Sequence, residues 1–267
     1  MTEAGELLKS HANEILDRVA HVKSEFGARV ATPRGKLVLG VPPSVGTVLT
    51  VPLVKKIKNE FPKITLQVIE GFSGHVLEWL IAGRIDAAVL YNPPHHPSVL
   101  TEKLIRDELF LIAPVNPSTA LPCRSLELEW FARLPMILPT RSHGLRRLID
   151  SVLARAGIVP RVEMELDAMP STLLLVEEGE GYTILPYASV HKLLEAGRVQ
   201  VRPFHPSISR MLLLATSNQR PMSSTIRALM RTVRNEVRDV ISTYPWRPES
   251  QTAPRACRIS GSATDLI

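Results

Sequence analysis

Lys36-Leu37-Val38-Leu39-Gly40-Val41 runs directly into Pro42-Pro43-Ser44-Val45-Gly46-Thr47. The first stretch is apolar and rich in branched side chains, the pattern of a strand buried on both faces. The second mixes prolines with hydroxyls, which suits a turn that opens a helix. The same junction returns after the apolar run Leu134–Leu138, as Leu138-Pro139-Thr140-Arg141-Ser142-His143-Gly144.

Working outward, each junction is followed by the same rhythm. Strand signals at Ile64–Ile69 and Asp86–Tyr91 follow the first; Arg161–Leu166 and Tyr182–Leu185 follow the second. First-to-second strand starts are 28 residues apart in one half (36 to 64) and 27 in the other (134 to 161). Second-to-third starts are 22 (64 to 86) and 21 (161 to 182) residues apart. Between them lie helical faces: Val48, Leu49, Leu53, Ile57 and Phe61; Gly74–Ala82; Leu145, Leu148, Ile149, Val152, Leu153 and Ala156; and Ser171–Glu178. Pro52 reads either as a kink or as the first residue of its helix with Thr50 near the cap. Strands alternating with helices imply parallel βαβ units. The economical fold is therefore α/β with two similar lobes and a crevice between them.

Glu102–Pro114, Val199–Pro203 and Arg210–Ala215 supply strands that cross between the lobes, and 221–241 forms a last amphipathic helix. The expected organisation is a helix over 1–32, a two-lobed α/β domain over 33–242 and a disordered polar tail over 243–267. Within the domain one lobe takes about 36–113 plus 198–242 and the other 114–197. At the N-terminus Leu8, Ala12, Ile15, Val19, Val22 and Phe26 are spaced 4, 3, 4, 3, 4. That is the seam of a short coiled coil and reads as a dimerisation arm; an amphipathic helix packed on its own globule is the alternative.

Composition excludes several classes. The 267 residues are 45 % apolar and 22 % charged, enough to bury a core and too apolar for a wholly disordered chain. Two cysteines, Cys123 and Cys257, give neither a disulfide framework nor a zinc-ligand spacing. The acidic, polar start is no signal peptide, and no run is apolar and long enough for a membrane helix, so a soluble cytoplasmic protein with no membrane partner is expected.

Catalytic motifs do not announce themselves. Gly71-Phe72-Ser73-Gly74 is out of register for a nucleophile elbow, and Gly179-Glu180-Gly181 lacks the third glycine of a dinucleotide loop. His95-His96 sits among prolines, where a solvated loop outweighs a metal site, so neither metal nor cofactor is expected. The two proline–hydroxyl junctions carry the functional reading. Helix N-termini present unpaired N–H groups and partial positive charge, and two of them facing one crevice suit a small anionic or polar ligand. Ser44, Val45 and Thr47 from the first junction and Thr140, Arg141, Ser142 and His143 from the second are the candidate contacts. Plain helix capping is the competing explanation.

In their order along the chain these features resemble the LysR-type transcriptional regulators. Thr2-Glu3-Ala4-Gly5-Glu6 is similar to the start of that family's linker helix. Gly35–Ser44, Pro52-Leu53, Glu60-Phe61-Pro62, Glu70-Gly71, Gly83–Val89, Leu109–Ile112, Gly179–Gly181 and Leu185-Pro186 resemble successive parts of its effector domain. Ile137–Thr140 and His143–Arg147 resemble the nitrogen-assimilation-control-like branch. The resemblance implies a two-lobed, periplasmic-binding-protein-like (type II) fold that binds a small co-inducer between its lobes, with no catalysis. By position it adds Tyr91, near the crossover out of the first lobe, and Ile184, on the cleft wall of the second. It also implies a homodimer or homotetramer, and promoter DNA as a partner only if a winged helix-turn-helix precedes residue 1 in the full-length protein. A free solute receptor or an enzyme on the same fold is the alternative.

The net charge of +6 is unevenly spread. Residues 205–267 hold nine basic against four acidic residues, a net +5, much of it as Arg227, Arg231, Arg234 and Arg238 on the last helix. This favours nonspecific polyanion contact over sequence recognition.

Overall fold

The computed structural model describes residues 33–243 apart from 119, 123, 124 and 221, together with Ala12, Ile15 and Val19. Leu8, Val22, Phe26 and the tail 244–267 lie outside the described residues. Ala12, Ile15 and Val19 are helical with exposed side chains.

The first lobe is built as the spacing predicts. Strand β1 (Gly35–Val41) lies between β2 (Ile64–Glu70) and β3 (Ala87–Tyr91), parallel to both. Helices α1 (Pro43–Glu60) and α2 (Ser73–Ile81) make the connections. Pro42 is extended (φ −68°, ψ 149°) and Pro43 stands in the first turn of α1, where a missing N–H is harmless. Pro52 thus falls inside one continuous helix and Thr50 is no cap. The strand-to-helix turn at Pro42-Pro43 already sets the start, nine residues before Pro52.

Two long strands then tie the lobes together. β4 (Val99–Pro114) and β9 (Val199–Ser217) pair antiparallel along most of their length, with register shifts at Lys103/Ile105 and Leu109/Phe110. The two late strand signals, Val199–Pro203 and Arg210–Ala215, are therefore one element. β9 also pairs antiparallel with β3, and short β5 (Leu126–Glu127) pairs with β9.

The second lobe holds α3 (Trp130–Arg133), β6 (Met136–Leu138), α4 (Gly144–Arg155), β7 (Val162–Glu165), α5 (Met169–Glu177), β8 (Thr183–Pro186) and α6 (Tyr187–Glu195). β6 and β7 are parallel, and Tyr182 bridges to Met136 in parallel before β8 joins β4 antiparallel. Helices α3 and α6 and strand β5 had no forecast from periodicity. α7 (Ser224–Thr243) closes the first lobe, laying Leu229, Val233 and Val237 into the core with Leu49, Leu53 and Ile57 of α1.

Core membership moves the changeover between lobes. Leu109–Ala113 of β4 and Val199, Val201, Phe204 and Ile208 of β9 pack into the second-lobe core, although the sequence reading placed 36–113 and 198–242 in the first. A strand that passes through two cores keeps one apolar pattern throughout, so its pattern carries no boundary. At Gly181 the chain passes so close to β6 that an added β-carbon would lie 2.8 Å from the Pro135 carbonyl oxygen. Gly181→Ala is expected to destabilise the domain by about 1–3 kcal/mol in urea unfolding, because the obstacle is backbone. A loss within error would show that this approach relaxes freely.

Candidate functional site: the cleft between the lobes

A cavity of about 350 Å3 opens between the lobes. First-turn residues of four helices line it: Ser44 of α1, Ser73 of α2, Gly144 of α4 and Met169 of α5. Each first turn carries backbone N–H groups that its own helix cannot satisfy, so the wall is rich in donors and partly positive.

The floor on the first-lobe side is a buried ionic network. Arg210, on β9, donates from Nε and Nη2 to Asp107 Oδ2 at 3.3 and 3.2 Å. Its Nη2 also donates to Ser44 Oγ at 3.2 Å. The guanidinium carbon sits 3.4 Å from the centre of the Tyr91 ring, a cation–π contact. Tyr91 Oη donates to the same Asp107 oxygen at 2.8 Å. Burial pushes the Tyr91 phenol far above its ordinary range, with Asp107 adding and Arg210 opposing, so it remains a donor. Asp107 is 1 % exposed, so its buried charge depends on partners such as these.

The second-lobe side departs from the expected anion site. Asp167, in the turn before α5, accepts the Thr140 N–H at 3.0 Å and the Thr140 hydroxyl at 2.7 Å. Thr140 Oγ1 is also 3.0 Å from Ser142 Oγ. The chain thus places its own carboxylate on the donors that sequence reasoning offered to a ligand. Capping is done by His143, whose Nδ1 accepts the Leu145 N–H at 3.0 Å. With Nδ1 as acceptor, the neutral ring carries its proton on Nε2. Burial lowers the His143 pKa to about 4; Arg210, Arg147 and His75 push it the same way and Asp167 opposes. The ring meets Phe72 of the first lobe edge-on, centroids 4.3 Å apart, so this contact spans the cleft.

Of the expected site residues, Ser44, Tyr91, His143 and Ile184 line the cavity together. Val45 does not: it is fully buried in the first-lobe core. Thr47 bonds back to the Pro43 carbonyl and faces a separate depression beside Glu70 and Trp79. Thr140 and Ser142 stand behind Asp167, and Arg141 faces a separate depression near Arg146 and Asp150. Val45 follows Ser44 by one residue, about 100° around the helix, and so points into the core and away from the cleft.

Asp107, Asp167 and Arg210 escaped the sequence reading. A usable signal existed for two of them: Asp107 and Arg210 are charges beside or inside apolar strand runs, where a charge needs a partner. Among the described residues no group of three or more His, Cys, Asp or Glu gathers for a metal. No helix among them is long and apolar enough to cross a membrane.

Comparison with known proteins gives one family. Residues 31–238 match the family described as LysR substrate binding domain. The HTH-type transcriptional regulator BbuR of Bordetella bronchiseptica is 27 % identical over 249 residues, 92 % of this chain and 76 % of that protein. The nitrogen assimilation regulatory protein nac of Klebsiella aerogenes is 24 % identical over 230 residues, 85 % of this chain and 74 % of that protein. The solved effector binding domain of QuiR, in complex with shikimate, superposes with a TM-score of 0.69 at 22 % identity, covering 77 % of this chain and 98 % of that one. Its likeness shows the fold, the two-lobed periplasmic-binding-protein-like architecture.

Proposed function

This chain belongs to the LysR substrate-binding-domain family, and on that premise we propose that it senses a small-molecule effector held between its lobes. The observation that carries the reading is the cleft itself. Its volume of about 350 Å3 suits a metabolite-sized ligand, and first turns of four helices meet around it. Donors dominate: free helix N–H groups, the Ser73 hydroxyl, His143 Nε2 and Arg147, with Asp167 as the one carboxylate on the wall not sealed into the floor. Such a lining favours a small organic acid that also bears a hydroxyl or amino group. The shikimate-bound QuiR domain, of the same fold, is consistent with this class.

Ligand contacts are assigned to Ser44, Tyr91, His143 and Ile184, with Arg210 and Asp167 added. In this reading Asp107, held by Arg210 and Tyr91, belongs to the cleft floor, and the chain is a sensor without turnover. It acts in the cytoplasm as a homodimer or homotetramer. Exposed Ile15 and Val19, 62 % and 47 % accessible on one seam, support pairing through the N-terminal helix. Binding would close the lobes on β4 and β9 and shift that assembly, and with it the regulator's promoter contacts.

The test is thermal unfolding with a panel of small hydroxy and amino carboxylic acids, shikimate included. A ligand at about a hundred times its Kd should add about 2.7 kcal/mol of stability. Ser44→Ala should weaken that ligand about tenfold, the worth of one buried hydrogen bond. Gly74→Leu, at a position where an added β-carbon meets nothing within 4 Å, should reduce it through bulk at the cleft wall. A ligand shift indifferent to both changes would sink the cleft assignment.

A further inference from the structure

We propose that the outer face of α7 is a second, sequence-independent binding surface for the phosphate backbone of double-stranded DNA. Four arginines, Arg227, Arg231, Arg234 and Arg238, recur at intervals of four, three and four residues. At about 3.6 residues per turn they fall within an arc of about 60°, and at about 1.5 Å per residue they span about 16 Å. The opposite face, with Leu229, Val233 and Val237, is buried in the first-lobe core, so the arginine row is the centre of the solvent side.

The helix's neighbours show how little of this charge is neutralised. Arg234 is clamped by Glu102 of β4 through two bonds of 2.6 Å. The two acids of α7 are drawn to the other flank, where Lys56 of α1 stands 3.0 Å from Glu236 and 3.7 Å from Asp239. Among the described residues the Arg227 side chain donates to the Met222 carbonyl just before its own helix. Arg231 and Arg238 make no ion pair within 4 Å among the described residues, although the Glu102 carboxylate also feels the Arg238 charge. An amphipathic helix needs only a polar outer face, and like charges three and four residues apart repel. Retaining four of them on one face, with Glu102 as the acidic neighbour among the described residues, suits a polyanion partner.

Chemistry favours phosphate over carboxylate. The row contains arginine and no lysine, and the planar guanidinium fork engages phosphate oxygens in pairs. Duplex DNA presents one phosphate per about 3.4 Å of each strand, so a row of about 16 Å can meet several at once. The row also begins beside Arg34, whose carbonyl accepts the Thr225 hydroxyl at 3.4 Å. No base contact is involved, and the surface is separate from the effector cleft.

The experiment is fluorescence anisotropy of the full chain with two labelled 30-base-pair duplexes of unrelated sequence, over a salt series. The triple variant Arg227→Gln, Arg231→Gln, Arg238→Gln changes only exposed side chains and should keep the wild-type circular dichroism and melting temperature. Wild type should bind both duplexes alike. The variant should bind at least tenfold more weakly at low salt, with a log–log salt slope shallower by about 2 to 3, near one for each phosphate no longer neutralised. An unchanged affinity and slope would overturn the proposal and assign any binding to the other basic residues. Poly-glutamate competing as well as duplex at equal charge concentration would also overturn it, in favour of an acidic protein partner.

Discussion

Arg210→Met should cost the folded domain about 3–5 kcal/mol, read as a lower urea midpoint at pH 7. The arginine is 7 % exposed and Asp107 is 1 % exposed, so the substitution strands a carboxylate where water does not reach. Methionine matches much of the aliphatic volume, and the loss therefore reports charge more than packing. Ser44 and Tyr91 lose a shared partner at the same time. The double variant Arg210→Met, Asp107→Asn should recover at least half of the deficit, because asparagine still accepts from Tyr91 and carries no charge. A single-variant loss below about 1 kcal/mol would mean that solvent or protonation relieves Asp107, and the floor of the cleft would then be softer than described.

The second large effect is a pH dependence centred on His143. In the folded domain this ring titrates near pH 4, below its ordinary 6.5, chiefly because it is buried. Between those values the unfolded chain binds a proton that the native state refuses, so unfolding becomes easier as pH falls. The contribution is intact above pH 6.5 and lost by pH 4. At about 1.36 kcal/mol per pH unit the difference amounts to about 3 kcal/mol. His143→Asn retains a capping acceptor for the start of α4 and removes the titration. Urea unfolding from pH 7 to pH 4 should therefore be flatter in the variant by that amount, while the carboxylates contribute alike to both proteins. Parallel curves would show that His143 protonates freely in the native state.

Protonation has a second consequence in the cleft. It would remove Nδ1 as the acceptor for the Leu145 N–H and so loosen the start of α4 beside the ring contact with Phe72 of the opposite lobe. Effector affinity should therefore fall in the same acidic range if closure uses that contact.

The lobes were legible because their signals are local. A buried strand announces itself in six consecutive residues, such as Lys36–Val41, and the proline turn that follows fixes the next helix within two positions. Periodicities of 2 and 3.6 also separate inner from outer faces, which is how the arginine row on α7 could be read before its packing was known. The repeat of strand spacings, 28 against 27 and 22 against 21, pointed to two lobes with a crevice between them without any contact being known.

The cleft's chemistry depends on partners that no local pattern brings together. Arg210 meets Ser44 across 166 residues and Asp107 across 103, and Asp167 meets Thr140 across 27. From sequence alone Thr140 and Ser142 read as open donors; in the fold a carboxylate from the next strand-to-helix turn takes Thr140, and Ser142 pairs with the Thr140 hydroxyl. Backbone conformation and amphipathic faces follow from neighbouring residues, whose energies act within a turn or two. Which buried charge is neutralised, and which donor stays free for a ligand, follows from long-range closure of the chain, where desolvation penalises every pairing but the complete one.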